Sequence, residues 1–179
     1  FSDLSGDVSR SLKDEEIVAT EVEARLADLD TARDNFFNLV GYGLGSGRYP
    51  IAEALDGDNA QEIEESQEKL EARLDDVQEA LRGVSERGDI GLRYRERCKE
   101  LKHDLRHVME RDDARFAYFA DIRGKGTFLR AAPVDLAKLF RSKLLAHHDA
   151  MVFTSATLAT GGDLSFFKQR MGMSDIVDG

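Results

Sequence analysis

The 179 residues carry a formal charge of −10, with 34% charged and 41% hydrophobic side chains, enough for one sizeable core or two small domains. One cysteine, Cys98, excludes an internal disulfide and fits a reducing compartment, and no apolar run approaches the length of a membrane span. Acidity argues against indiscriminate coating of nucleic acid, but it is uneven: residues 1–91 hold 9 Lys and Arg against 23 Asp and Glu, and residues 92–179 hold 16 against 12. Such an asymmetry fits either a face that meets a polyanion or the charge-rich surface of long exposed helices. The opening FSDLSGDVSR has no methionine and no signal-like character, and reads as the interior of a longer chain.

The spacing of Ser11-Leu12-Lys13-Asp14 is that of a capping box, so a long helix is expected after it. Val18, Val22, Leu26, Leu29, Phe36 and Val40 then fall on one helical face. GYGLGSGRYP (41–50) breaks that helix and reads as a flexible linker. A second helix is expected from near Asn59, with Ile63, Leu70, Leu74, Val77 and Leu81 on its apolar stripe. SERGDIG turns the chain, and Tyr94, Cys98, Leu101, Leu105 and Val108 step four, three, four and three along a third helix. Narrow seams of this kind suit an antiparallel helical bundle. From residue 114 the period changes to two. RFAYFADI reads as a strand, Gly124-Lys125-Gly126 as a turn, and TFLRAA as the returning arm of a hairpin. Pro133 suits the first turn of a helix running to about His147, AMVFT a short buried strand, and Asp163 the cap of a last helix that stops at Gly172. The fold class is therefore α/β, mainly α: a helical domain over 1–113, and an α/β domain over 114–179 with too few strands to close a sheet alone.

Several motifs carry no chemistry of their own. GYGLGSGR lacks the Gly-Lys-Ser/Thr of a phosphate loop and follows a helix instead of a strand. His103 and His107 share a helical face, but a structural metal needs two more ligands, and Cys98 lies on the neighbouring apolar stripe; no metal site is expected. His147 and His148 suit the carbonyls of a helix end. Arg95, Lys99, Lys102 and Arg106 advance by four, three and four and make one basic stripe. Interleaved Glu96, Glu100 and Asp104 leave two readings open, a track for a phosphate backbone or a salt-bridged surface. In MVFTSATLATGG, Thr154, Ser155 and Thr157 gather hydroxyls where a strand would end, the place at which open α/β sheets put their working residues. No nucleophile elbow and no base accompany Ser155, so a catalytic serine is not expected.

MVFTSATL followed by GGDLSFFKQRMGM resembles motif III and its sequel in the DinG/XPD-like branch of superfamily 2 DNA helicases. The preceding RFAYFADIRGKGTFLRAAPVDLAKLFRSKLL keeps the family's order: helical arch, hairpin, a "P-V-D-L-A"-like helix, then the S-A-T-L strand. The likeness is specific over 114–173 and architectural over 1–113. It implies an arch-like insertion over 1–113, part of a RecA-like motor over 114–179, and a parent enzyme that couples ATP hydrolysis, with Mg, to 5′-to-3′ movement on single-stranded DNA. It also implies that Thr154, Ser155, Ala156, Thr157 and Leu158 couple the nucleotide site to the DNA surface, with Arg95, Lys99, Lys102 and Arg106 as candidate DNA contacts. The family's phosphate loop and DEAH motif lie upstream of the arch and its arginine-bearing second motor downstream. This chain carries none of them, so catalytic residues are expected in the other motor domains of the same parent chain. The cysteines that hold an iron–sulfur cluster in many relatives also lie upstream, and Cys98 alone cannot supply four ligands. A cytoplasmic location, on the nucleoid in a bacterium, follows from the same resemblance, with no membrane partner. A helical scaffold module is the competing reading.

Overall fold

Apolar residues at threes and fours close a helical core in the computed structural model, which describes residues 4–11, 16–82, 89–148, 151–154 and 163–175. The chain is mainly helical with one three-stranded antiparallel sheet, and divides into two compact units. One comprises Phe1–Asp112 with Tyr118–Ala131, the other Asp113–Ala117 with Ala132–Gly179. Among the described residues no helix is long and apolar enough to cross a membrane.

In the first unit, α1 (Leu4–Ser11) buries Leu4 and Val8 and ties Ser5 Oγ to Asp30 Oδ1 at 2.8 Å. α2 (Glu16–Val40) contributes Val22, Leu26, Leu29, Phe36 and Val40 to the core, as its periodicity predicts. α3 (Ile51–Leu55) is a short helix without a sequence signature, held by its buried Ile51, Ala54 and Leu55. α4 (Ala60–Ala80) follows, and Ile63, Leu70, Leu74 and Val77 on it, with Leu81 just past its end, are each at most 1% exposed. α5 (Asp89–Glu110) brings Cys98, Leu101, Leu105 and Val108 to the same core. Full burial of such a side chain is worth about 1.5–3 kcal/mol, so these seams hold the bundle together.

The helices run antiparallel, and polar contacts set their register. Asn59, just ahead of α4, donates from Nδ2 to the Leu39 carbonyl at the end of α2, 3.0 Å away. It therefore binds a neighbouring helix and makes no side-chain cap for its own. At the other end of that interface Asp28 and Arg73 line one shallow groove. Between α4 and α5, Glu71 meets Arg106, Asp75 meets Lys102, and Gln78 Nε2 donates to the Arg95 carbonyl.

The glycine-rich segment is more than a linker. Residues 41–46 turn, and Gly47–Pro50 then forms strand β1, which pairs antiparallel with β2 (Phe116–Arg123) in the register Arg48 to Asp121 and Tyr49 to Ala120. Tyr49 packs against the core from β1, which gives the strand a reason to form despite Gly47 and Pro50. β3 (Gly126–Pro133) completes the order β1-β2-β3. The two-residue loop Gly124-Lys125 puts Gly124 at φ 58°, the left-handed value a tight hairpin turn takes at its first central residue. Tyr118, Ala120, Ile122, Leu129 and Ala131 pack on the helical core. Alternation sends Phe119, Asp121, Arg123, Phe128 and Arg130 to the other face.

In the second unit, Pro133 ends β3 and does not open a helix. Asp135 caps α6 (Leu136–Lys143) by accepting from the Ala137 N–H at 3.0 Å, and only a 3₁₀ turn, Leu145–His147, lies beyond. A side-chain cap outcompetes proline's fixed φ here because it satisfies an orphan N–H. α7 (Ser165–Arg170) is preceded by Asp163, whose carboxylate accepts from the Ser165 N–H and hydroxyl at 2.8 and 2.7 Å. The last helix stops at Gly172, φ 66°, with the Met173 N–H returning to the Lys168 carbonyl. Residues 151–154 are not a buried strand. They have no regular structure, and Val152 is 90% exposed. A strand persists through ladder partners, and none of the described strands pairs with this segment. Among the described residues of this unit, Met173 alone is buried. The capping box and the first residues of SERGDIG fall mostly outside the described residues, although α5 already begins at Asp89 within that expected turn.

Candidate nucleic-acid interface

The segment that resembles motif III begins at Met151. Phe153 sits between Phe140 and Phe167, with ring centroids 5.8 and 5.3 Å away, and Thr154 is exposed. Ser155, Ala156, Thr157 and Leu158 lie outside the described residues. Nearby, Arg141 clamps Asp175 with Nη1 and Nη2 at 2.7 and 2.6 Å and also donates to the Gly172 carbonyl. Hydrogen bonds from that guanidinium hold the Asp175 carboxyl down to about 2.

The structure places the basic stripe on α5, where carboxylates meet most of it. Lys99 Nζ is 2.6 Å from Glu96, Lys102 Nζ 2.5 Å from Asp75, and Arg106 Nη2 2.6 Å from Glu71. Burial alone would raise the Glu71 pKa, but hydrogen bonds from Arg106 and Gln67 and the charges of Arg106 and Lys102 lower it on balance. Arg95 is half-buried, and its Nε has no hydrogen-bond partner among the described residues. A phosphate reaching this stripe has to compete with carboxylates already in contact. Cys98 beneath it is 1% exposed, and burial, reinforced by Asp75, pushes its thiol up to about 11. His107 packs its ring edge-to-face on Tyr118 at 5.4 Å, with Nε2 3.5 Å from the phenol oxygen, while His103 is exposed. Among the described residues no three His, Cys, Asp or Glu stand close enough to hold a metal.

A second basic surface is carried by the outer face of the sheet. The Arg48 guanidinium lies 4.5 Å from the centroid of Phe119, and Arg123 and Arg130 flank Phe128 at 5.9 and 5.7 Å. Arg123 and Arg130 share Asp121 at 2.5 and 3.4 Å, and that carboxylate is only 6% exposed. The hydrogen bond from Arg123, with the charges of Arg123, Arg130 and Arg48, lowers the Asp121 pKa against the opposing effect of burial. Sequence reasoning passed over these residues, although alternation in RFAYFADI puts Phe119 with Asp121 on one side of its strand, and alternation in TFLRAA puts Phe128 with Arg130 on one side of the other. Arg48 needed the register of β1, which only the fold supplies.

The glycine loop does not fit a nucleotide phosphate. Its Gly41, Tyr42 and Leu44 N–H groups donate to the carbonyls of Phe37, Leu39 and Gly41, so they are not presented as a cradle. A Cβ on Gly41 would meet Thr127 Oγ1 at 2.5 Å, which identifies the glycine as the point where α2 passes close to β3.

No family model matches the chain, and no solved structure matches it. Over 113 residues, 63% of the chain, it is 27% identical to the ATP-dependent DNA helicase YoaA of Haemophilus influenzae. The chain is distantly similar to a DNA helicase. The match takes in 18% of that helicase's own length.

Proposed function

We propose that the chain is a piece of an ATP-dependent, DinG/XPD-like DNA helicase, comprising an arch-like helical insertion and the end of the first RecA-like motor domain. The identity to a DNA helicase over 63% of the chain carries this reading. The exposed apolar side chains of the second unit support it. Val134, Leu136, Leu139, Leu144, Val152 and Phe166 are 40–90% exposed, a surface suited to burial against the remainder of a motor domain. ATP and Mg bind the parent mainly outside this chain, whose sequence carries no Gly-Lys-Ser/Thr phosphate loop. Single-stranded DNA is the partner, the helicase works in the cytoplasm, and the paired stripe Arg95, Lys99, Lys102 and Arg106 serves as an auxiliary DNA contact that trades carboxylates for phosphates.

Within this reading, Thr154 to Leu158 form motif III. The hydroxyls of Ser155 and Thr157 donate to carboxylates of the nucleotide site and relay its state to the DNA surface; they attack nothing. The test is Ser155→Ala and Thr157→Ala in the intact parent enzyme. A hydrogen bond lost to a charged partner costs about 1.5–3 kcal/mol, or about tenfold to a hundredfold in rate. ATPase activity should stay near normal while unwinding falls by that factor. Parallel loss of both activities with a lowered melting midpoint assigns the hydroxyls to the core instead, and loss of hydrolysis by a still-folded protein assigns them to catalysis.

A further inference from the structure

We propose that the outer face of the three-stranded sheet, with Arg48, Phe119, Arg123, Phe128 and Arg130, binds single-stranded nucleic acid, with guanidiniums on phosphates and bases stacked on the aromatic–guanidinium pairs. Charge selects a polyanion. Two guanidiniums, Arg123 and Arg130, meet one carboxylate, Asp121; Arg48 lies opposite it on β1, lends its charge and, among the described residues, makes no ion pair. Asp121 is buried, so it orients Arg123 and Arg130 from below and does not compete for ligand at the surface. Lys125 in the exposed hairpin turn adds a fourth positive charge.

The aromatic rings select a single strand over a duplex. Phe128 is 45% exposed between two arginines, and Phe119 lies under a third. Paired bases offer no free ring face, whereas unpaired bases stack on phenylalanine and on guanidinium planes alike. The three strands span about 10 Å at the usual spacing, wide enough for one backbone with its bases. This surface differs from the α5 stripe in the feature that matters: there three of four cations each meet a carboxylate of their own, whereas here Arg123 and Arg130 share Asp121 alone. The proposal rests on the helicase reading only for the choice of DNA over RNA.

The experiment is fluorescence anisotropy of a labelled oligo(dT) about twenty nucleotides long, titrated with the full 179-residue chain between about 50 and 200 mM salt. Arg48→Gln and Phe128→Ala should each weaken binding about tenfold. Arg48→Gln should also flatten the dependence of log affinity on log salt by about 0.7, the loss of one single-strand phosphate contact. Arg73→Gln, which removes an arginine paired with Asp76 elsewhere on the unit, should change neither quantity. Thermal melts accompany each variant, and neither Arg48 nor Phe128 is a buried residue whose loss should unfold the protein. Absence of oligo(dT) binding by the unaltered chain overturns the proposal, as does unaltered affinity in both variants. Equal affinity for a duplex of the same length, with Phe128→Ala inert, also overturns it and reduces the face to plain charge attraction. Each of these failures leaves the helicase reading to be judged separately, by the ATPase and unwinding assays on the parent.

Discussion

Asp175 shows how one arginine can fix the state of a carboxylate at the surface of a small unit. Arg141 grips Asp175 with both terminal nitrogens, and the carboxyl falls from its ordinary value of 3.8 to about 2. A carboxylate with a depressed folded-state pKa contributes stability that is fully present above the unfolded value and is lost as pH falls through the folded value. The pair should therefore stabilise its unit unchanged above pH about 4 and lose its effect between about 4 and 2. Carboxyl-detected NMR titration checks this: Asp175 should titrate near 2 in the unaltered chain and return toward 3.8 in Arg141→Gln. An Asp175 midpoint that stays low in the variant would transfer the effect from the guanidinium to the backbone.

Among the elements, α4 is the centre of the bundle because it packs on both α2 and α5. Its Leu70 is 0% exposed, so Leu70→Ala leaves a cavity that the neighbouring helices cannot fill without moving. A loss of about 2–5 kcal/mol is expected in urea unfolding, with little change in the slope. Leu139 on α6 is 44% exposed, and the same truncation there should cost well under that in the isolated chain. Helices of this kind are legible because burial recurs with the helix period: Val22, Leu26, Leu29, Phe36 and Val40 on α2 and Ile63, Leu70, Leu74 and Val77 on α4 are all buried. Capping was less legible. Asn59 has the right chemistry for a cap but bonds to α2, while Asp135 caps α6 two residues past Pro133, which ends β3 and does not start the helix. Either side chain could satisfy several orphan groups, and neighbouring backbone decided which.

At the scale of the whole molecule, the two units differ in how they are stabilised. The first buries apolar seams from α1 to α5 and one face of the sheet, whereas the described part of the second buries Met173 and leaves Leu136, Leu139 and Leu144 open to solvent. In the proposed reading the second unit belongs to a motor domain whose nucleotide-binding residues lie elsewhere. The isolated chain should then show no ATP hydrolysis, with or without single-stranded DNA, because the Gly41, Tyr42 and Leu44 amides of its glycine loop are spent on backbone carbonyls and no Gly-Lys-Ser/Thr follows. A coupled-enzyme phosphate-release assay checks this; DNA-stimulated turnover by pure chain would contradict it.

The sequence by itself determined the three long helices, the hairpin with its Gly124 turn, and the last helix with its stop at Gly172, because each rests on local periodicity or on a glycine at positive φ. It also determined that Phe119 and Asp121 share one side of their strand, since alternation within a strand is a local property. Tertiary structure alone decided the rest. The pairing of Gly47–Pro50 with β2 brings Arg48 opposite Asp121, although 73 positions separate them in the sequence, and no local signal encodes that register. Antiparallel packing of α4 and α5 set Lys102 and Arg106 against Asp75 and Glu71, which turned a stripe of apparently open charges into inter-helix ion pairs. Periodicity reports which side of an element is buried, but the partner that meets each charge is fixed only when elements distant in sequence pack together.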